Sequence, residues 1–400
     1  MNKYFYPLVE NPFDSDDIKK GINVLKSKQL TISTQTHNLE KFFSTKFKSK
    51  YSLMVNSGSS ANLLALQCLI NPYRANRLKK GDEIIIPTLC WSTSLWPIIQ
   101  SNLKPVFVDI DKETLNIDTK KIEKKITKRT KAILLVHVLG NSCNMDHIMK
   151  LKKKYNLILI EDTCESIGSK YKNKYLGTFG EFSSFSFYTS HQISGGEGGM
   201  LVCKDSKDFQ IIRTLRSHGW VREIAQNTNT VFKFKKSKYL DKKFTFCNSG
   251  FNLRPTEVSS AIALSQLKKL DKIKKVRSNN YERIKKILQE DDKCSKYFDF
   301  IEKNKLVSEC WLSFPIILKK KIDKIKFLNR LSKLGVESRP IISGDFSQQP
   351  ALNKYKIKKQ KKYKNADYIH KYGFYIGLYS EKLSNIDLNN LKNSFKKSLS

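Results

Sequence analysis

The first half of the chain alternates short apolar runs with amphipathic stretches. Strands are expected at Glu83–Pro87, Pro105–Asp109, Ala132–Val138, Leu157–Glu161 and Met200–Cys203. These runs are as short as buried strands and rich in Ile, Leu and Val. Between them, the lysine-rich stretches Thr119–Lys128 and Met145–Tyr155 read as helices. Strands alternating with helices predict an α/β domain: a large, mostly parallel sheet with helices on both faces. Ligands of such sheets bind outside the carboxyl ends of the strands.

From Gly219 to Ser249 the chain is polar and basic without a period, which predicts a long loop beside a site. A helix resumes at Thr256, with Val258, Ile262, Ala263, Leu264, Leu267 and Leu270 on one face. Cys310–Leu318 then reads as a strand and Ile325–Leu334 as a helix, giving a smaller α+β domain. The expected division is residues 1–250 for the large domain and 251–400 for the small one. The first ~20 residues are candidates to pack on the small domain. No internal repeat or low-complexity linker interrupts this plan.

With 400 residues, 40% of them hydrophobic, the chain can bury two cores, which excludes a disordered protein. No apolar stretch approaches ~20 residues, so no membrane partner is expected. Met1–Pro7 lacks the apolar core of a signal peptide, and a cytoplasmic location follows. The eight cysteines, Cys68, Cys90, Cys143, Cys164, Cys203, Cys247, Cys294 and Cys310, form no C-x-x-C pair. They read as reduced and inert, with no metal site. The net charge of +37 is mostly lysine and is spread along the chain without a nucleic-acid motif. A lysine-rich proteome explains it, and nucleic acid is not expected as a partner. The positive field still favours an anionic, diphosphate-bearing substrate.

Three segments carry candidate chemistry. In Asn56-Ser57-Gly58-Ser59-Ser60-Ala61-Asn62, small residues open a helical stretch. Free N–H groups there suit a phosphate, although an ordinary helix cap reads the same way. In Ile158-Leu159-Ile160-Glu161-Asp162 a carboxylate ends a buried strand. It either points into the ligand crevice or caps a following helix. Trp91, directly after a strand, is either a flat surface for a cofactor ring or a core residue.

A fourth run, Phe185-Ser186-Phe187-Tyr188-Thr189-Ser190-His191-Gln192-Ile193, leads into Ser194-Gly195-Gly196-Glu197-Gly198-Gly199. Farther on stand Arg216, His218-Gly219-Trp220, Gly250-Phe251-Asn252-Leu253-Arg254-Pro255 and Arg339-Pro340-Ile341. In this order and over nearly the whole chain, the set resembles the DegT/DnrJ/EryC1/StrS sugar aminotransferase family. The resemblance implies the fold-type-I, aspartate aminotransferase-like architecture, with a seven-stranded large sheet and pyridoxal 5'-phosphate as cofactor.

In that family a lysine at the position of His191 holds the cofactor as a Schiff base. A histidine cannot form that bond but can move protons near neutral pH. Within the family, the resemblance implies that His191 marks a branch that removes the hydroxyl at carbon 3 of a nucleotide-linked 4-keto-6-deoxyhexose, and overall likeness to that branch implies GDP as the preferred nucleotide. The working cofactor implied is pyridoxamine phosphate, regenerated by L-glutamate, with His191 as the acid and base. Gly58, Ser59 and Ser186 would hold the phosphate, with Asn252 of the partner subunit in a homodimer with shared sites. Trp91 would stack on the ring, Asp162 would bind its nitrogen and Glu165 would lie near its oxygen. His218, Arg222 and Arg254 are substrate or glutamate candidates.

A sister branch carries a two-iron two-sulfur cluster on four cysteines. Cys164 matches one ligand position, but Trp220-Val221-Arg222-Glu223-Ile224-Ala225-Gln226 contains no cysteine where the others cluster, so no iron–sulfur cluster is expected. Two rivals remain: an aminotransferase using another lysine, and a non-enzymatic regulator or basic binder. The first is weakened because no lysine lies between Lys174 and Lys204.

Overall fold

Among the described residues, seven short, mostly buried strands build the large sheet of the computed structural model. The strands are β1 (Tyr51–Val55), β2 (Glu83–Pro87), β3 (Lys104–Val108), β4 (Thr130–Val136), β5 (Ile158–Asp162), β6 (Phe182–Ser186) and β7 (Gly199–Cys203). The structure describes residues 4–9, 13–224, 230–232, 239–241, 244–301, 304–359 and 362–399. The strand order is β1-β7-β6-β5-β4-β2-β3. Neighbours from β6 to β3 run parallel, while β7 is antiparallel to both β6 and β1.

The five strands expected for this sheet are present, displaced by at most two residues at their ends, whereas the strand expected at Cys310–Leu318 begins only at Phe314. Two more, β1 and β6, were not expected. Thr119–Lys128 shrinks to one helical turn, Thr119–Ile122, and a 3-10 turn, Glu123–Lys125. Expected loop residues 225–229, 233–238 and 242–243 lie outside the described residues. Nearby, Trp220 bridges Phe246.

Among the described residues, eight longer helices precede the second sheet: α1 (Ser15–Ser27), α2 (Thr34–Phe47), α3 (Gly58–Leu69), α4 (Ser92–Gln100), α5 (Met145–Tyr155), α6 (Ser206–Arg216), α7 (Glu257–Lys268) and α8 (Leu270–Gln289). Successive strand residues point to opposite faces. Ile84, Ile86, Leu134 and Ile160 join the core beneath α3, α4 and α6. Ile85, Ile133, Leu135 and Leu159 pack instead with Met145, Ile148 and Leu151 of α5. Met54, Phe185 and Met200 meet Phe43 of α2 and Ala263 of α7. The expected continuous face from Val258 to Leu270 is divided. Lys269 separates the two helices, and Val258 and Ile262 turn toward Gly21 of α1.

A second, antiparallel sheet has the order β8 (Phe298–Phe300), β9 (Phe314–Leu318), β11 (Gly373–Ile376), β10 (Ser338–Arg339). It packs on α9 (Lys324–Lys333) and α10 (Asn385–Ser398) through Phe327, Phe374 and Phe395. A three-stranded patch joins Lys170–Tyr171, Lys174–Tyr175 and Val307–Ser308. The N-terminal segment lies along the second sheet. Tyr6 bridges Val336, and Pro7 O accepts from Tyr379 Oη at 2.7 Å. Among the described residues, no helix is long and apolar enough to cross a membrane.

Candidate active site

The carboxyl ends of β5 and β6 meet the first turns of α3 and α4. Asp162, the last residue of β5, receives four hydrogen bonds. Asn62 Nδ2 and Ser94 Oγ each donate to Oδ2 at 2.7 Å. The Cys164 N–H and Ser184 Oγ donate to Oδ1 at 3.2 and 3.3 Å. The residues that follow form turns, so Asp162 caps no helix. Its neighbour Glu161 points away, fully buried, and pairs with His137 Nε2 at 3.0 Å. Burial pushes the Glu161 carboxyl up. The His137 bond and N–H groups of Gly177 and Gly180 outweigh that and hold it below its ordinary range.

Ser57 caps α3, with its Oγ accepting from Ser60 N at 3.1 Å. The N–H groups of Gly58 and Ser59 lie in the first turn, where no helix carbonyl reaches them. They point with the helix dipole toward any anion seated there. Ser59 Oγ donates to Thr93 Oγ1 at 3.0 Å. Ser186 ends β6 directly beneath. A Cβ on Gly58 would stand 2.7 Å from Ser186 Cβ and 2.6 Å from Cys164 Sγ. Gly58→Ala should therefore lift α3 from β6, cost about 1–3 kcal/mol and weaken binding of a phosphate-bearing cofactor. Thermal unfolding and cofactor titration check this. Wild-type values in both would mean that the close approach is dispensable.

Trp91 is not a core residue. It precedes α4 in extended conformation and is 56% exposed. Glu165 sits in the turn after β5, its Oε2 accepting from Leu139 N at 2.9 Å. Burial pushes its carboxyl up to about 7 against that bond, and the Asp162 charge adds to the rise.

His191 follows β6 in a turn closed by its N–H to Tyr188 O at 2.9 Å. Its ring stands edge-on to Tyr188, centroids 5.9 Å apart. Nδ1 is buried without a hydrogen-bond partner. Burial pulls the imidazole down to about 4, although the Ser186 carbonyl and the Asp162 charge oppose the fall. At neutral pH the ring is uncharged and keeps a lone pair. Gln192, buried next to it, ties the turn down by donating to Cys310 O at 2.9 Å and to Glu165 O.

His218, Arg222, Asn252 and Arg254 assemble in a second cluster around Trp220. His218, at φ 59°, meets the indole edge at 4.6 Å. The Arg222 and Arg254 guanidinium carbons lie 3.5 and 5.5 Å from its centroid. Arg254 Nε donates to Oδ1 of exposed Asn252 at 3.0 Å. A backbone bond from Asn56 N to Leu253 O, 3.0 Å, connects this cluster to the start of α3.

Sequence reasoning missed Asn62, Ser94, Ser184 and the Glu161–His137 pair. A polar residue on the buried face of a helix was the available signal for Asn62 and Ser94. All eight cysteines are free, and every one except half-buried Cys164 is buried. Among the described residues, no group of three or more His, Cys, Asp and Glu side chains is placed to hold a metal.

The donors suit pyridoxal phosphate. A helix start and a serine hydroxyl offer an anion seat, an exposed indole offers a flat face, and a clamped carboxylate offers an acceptor for a ring N–H. The model of the DegT/DnrJ/EryC1/StrS aminotransferase family matches residues 12–394. The GDP-4-keto-6-deoxy-D-mannose 3-dehydratase of Escherichia coli O55:H7 is 38% identical over 375 residues, 93% of this chain and 95% of that one. A crystal structure of a histidine-to-asparagine mutant of GDP-4-keto-6-deoxymannose-3-dehydratase with bound GDP-perosamine superposes with a TM-score of 0.89. It is 36% identical and covers 98% of this chain and 100% of its own. Another structure of that enzyme, with a trapped PLP-glutamate geminal diamine, gives 0.90 at the same identity and coverage.

Proposed function

We propose that this chain, which belongs to the DegT/DnrJ/EryC1/StrS aminotransferase family, is a pyridoxal-phosphate-dependent 3-dehydratase. Its substrate is a nucleotide-linked 4-keto-6-deoxyhexose, GDP-4-keto-6-deoxy-D-mannose, and L-glutamate is the amino donor. The observation that carries this reading is His191: an imidazole, not a lysine amine, in the turn after Ser186, in a site whose other donors suit the cofactor.

Gly58 and Ser59 N–H groups and the Ser186 hydroxyl bind the cofactor phosphate, completed by Asn252 of the partner subunit in a homodimer. Trp91 stacks on the ring, Asp162 holds the proton on its nitrogen, and Glu165 lies near its oxygen. When bound in the pyridoxamine form, the cofactor supplies the amine that joins the 4-keto carbon and a ring that takes up electron density. His191 accepts a proton on its imidazole and returns it to the departing hydroxyl of carbon 3. Having no amine, His191 does not compete for the cofactor aldehyde. His218, Arg222 and Arg254 surround Trp220 with donors for a diphosphate or the glutamate carboxylates. The enzyme works in the cytoplasm.

Purified protein with pyridoxal phosphate, glutamate and GDP-4-keto-6-deoxymannose should yield 2-oxoglutarate, ammonia and a 4-keto-3,6-dideoxy sugar. A stable 4-amino sugar would instead make the chain an aminotransferase.

A further inference from the structure

Away from the cofactor site, a second recess lies between the loop that follows β3 and the helix Lys364–Tyr372. Its volume is about 560 Å³, within the range of small-ligand pockets. β3 stands three strands from β5 in the sheet order, about 14 Å away at the usual strand spacing. None of the lining residues belongs to the cofactor site or to the cluster around Trp220.

Five lysines line the recess: Lys112 after β3, Lys320 after β9, and Lys362, Lys364 and Lys371 on or beside the helix. Lysine and arginine make up 74 of the chain's 400 residues but five of the nine here, so general basicity does not explain the cluster. Among the described residues of the lining, Asp367 is the one carboxylate, and Lys362 and Lys371 reach it at 3.4 and 3.1 Å. Asp299, which acts on Tyr368 from outside, faces Lys319 at 3.8 Å. Among the described residues, Lys112, Lys320 and Lys364 meet no carboxylate. Ammonium groups gathered in this way repel one another unless an anion sits between them.

The frame around the lysines is fixed. Asp109, next after β3, accepts from the Asn365 and Ala366 N–H groups at 3.2 and 3.0 Å. Asn365 Nδ2 donates to Ile110 O at 2.7 Å. These bonds occupy the start of the helix and hold the β3 loop against it, leaving the lysine side chains to meet a ligand. Tyr368 and Tyr372, one turn apart, add two rings with centroids 4.9 Å apart. Burial pushes the Tyr368 phenol up, so it keeps a proton to donate.

The geometry points to a binding site for a diphosphate anion, held between the loop after β3, the loop after β9 and the helix Lys364–Tyr372. Lys112, Lys320 and Lys364 come from three separate segments, and each can meet a different phosphate oxygen. A diphosphate has charge and oxygens for all three, whereas a carboxylate has one charge and two oxygens. The site draws on neither His191 nor turnover, so it stands apart from the dehydratase reading. A ligand there ties the β3 loop to the second sheet and should raise the thermal midpoint, because it binds the folded chain alone.

Holoenzyme, its phosphate seat filled by cofactor, is titrated by calorimetry with inorganic pyrophosphate at low salt. A saturable site is expected, weakening at high salt. Lys112→Gln, Lys320→Gln and Lys364→Gln combined should weaken it at least about tenfold, a few-fold for each exposed ion pair lost. All three side chains are exposed, so without pyrophosphate this variant should keep the wild-type thermal midpoint. Arg222→Ala with Arg254→Ala should leave binding intact, which separates the recess from the cluster around Trp220. Wild-type affinity in the triple lysine variant, loss confined to the arginine variant, or no binding at all overturns the assignment. GDP titrated into the arginine variant distinguishes the source of the diphosphate. Binding about tenfold tighter than pyrophosphate, lost on Tyr368→Ala, identifies a nucleotide stacked on the tyrosines. Binding no tighter than pyrophosphate identifies the inorganic ion, and either result keeps the site.

Discussion

Dehydration by the His191→Asn variant is expected to fall by about 10²–10⁴-fold, the usual contribution of a positioned general acid–base. Asparagine is close to imidazole in size and polarity but neither gains nor loses a proton near neutral pH. Because the Asp162 clamp and the start of α3 are untouched, cofactor affinity should stay near wild type. Single-turnover formation of the dideoxy sugar checks the first expectation and cofactor titration the second. His191→Lys should also lose dehydration while gaining a borohydride-reducible bond to pyridoxal phosphate, detectable by mass. Undiminished dehydration in either variant would remove His191 from its role.

The same residue makes a pH-dependent prediction that requires no substrate. Burial lowers the folded-state value to about 4 from an ordinary 6.5. Between those values the unfolded chain binds the proton and the folded chain resists it. By linkage, this residue costs stability as pH falls through 6.5 toward 4. His191→Asn escapes that cost. The difference in thermal midpoint between variant and wild type should thus grow in the variant's favour from pH 7 down to pH 4. A constant difference would mean that the imidazole titrates normally in the fold.

Much of this site was legible because its motifs lie at strand ends, where local sequence and function coincide. β2, β4 and β5 are continuous apolar runs, as expected for strands covered on both sides. β6 was illegible for a related reason. Its sequence, Phe-Ser-Ser-Phe-Ser, reads as polar, yet all five residues are buried. Small side chains are needed there because α3 presses onto Ser186 through Gly58. Trp91 was ambiguous because exposure, not identity, separates a stacking surface from a core residue. The clamp on Asp162 was hidden because Asn62 and Ser94 are 100 and 68 residues distant in sequence. Arg277 and Ser380, 103 residues apart, carry no local signal, and only the folding of the chain brings them beside the His191 turn.

Asp162→Asn should be nearly as damaging as loss of His191, although the hydrogen bonds around it can adapt to the new amide. Ser94 and Ser184 are hydroxyls and can turn to accept. The Asn62 amide can rotate to present Oδ1, which has no other partner, so only the Cys164 N–H is fixed as a donor. The new amide therefore keeps its carbonyl on the Cys164 N–H and turns its NH₂ group to Asn62 and Ser94. Losing the charge from this network should cost about 1 kcal/mol of stability. The catalytic loss is separate: a neutral amide cannot hold a proton on the cofactor ring nitrogen. Removing such electrostatic support costs about 10²–10³ in kcat. Asn62→Ala separates the two effects, since it removes one donor but keeps the carboxylate. It should lower the thermal midpoint while retaining most of kcat. Wild-type turnover in Asp162→Asn would show that this carboxylate does not support the ring, and would return the clamp to a purely structural role.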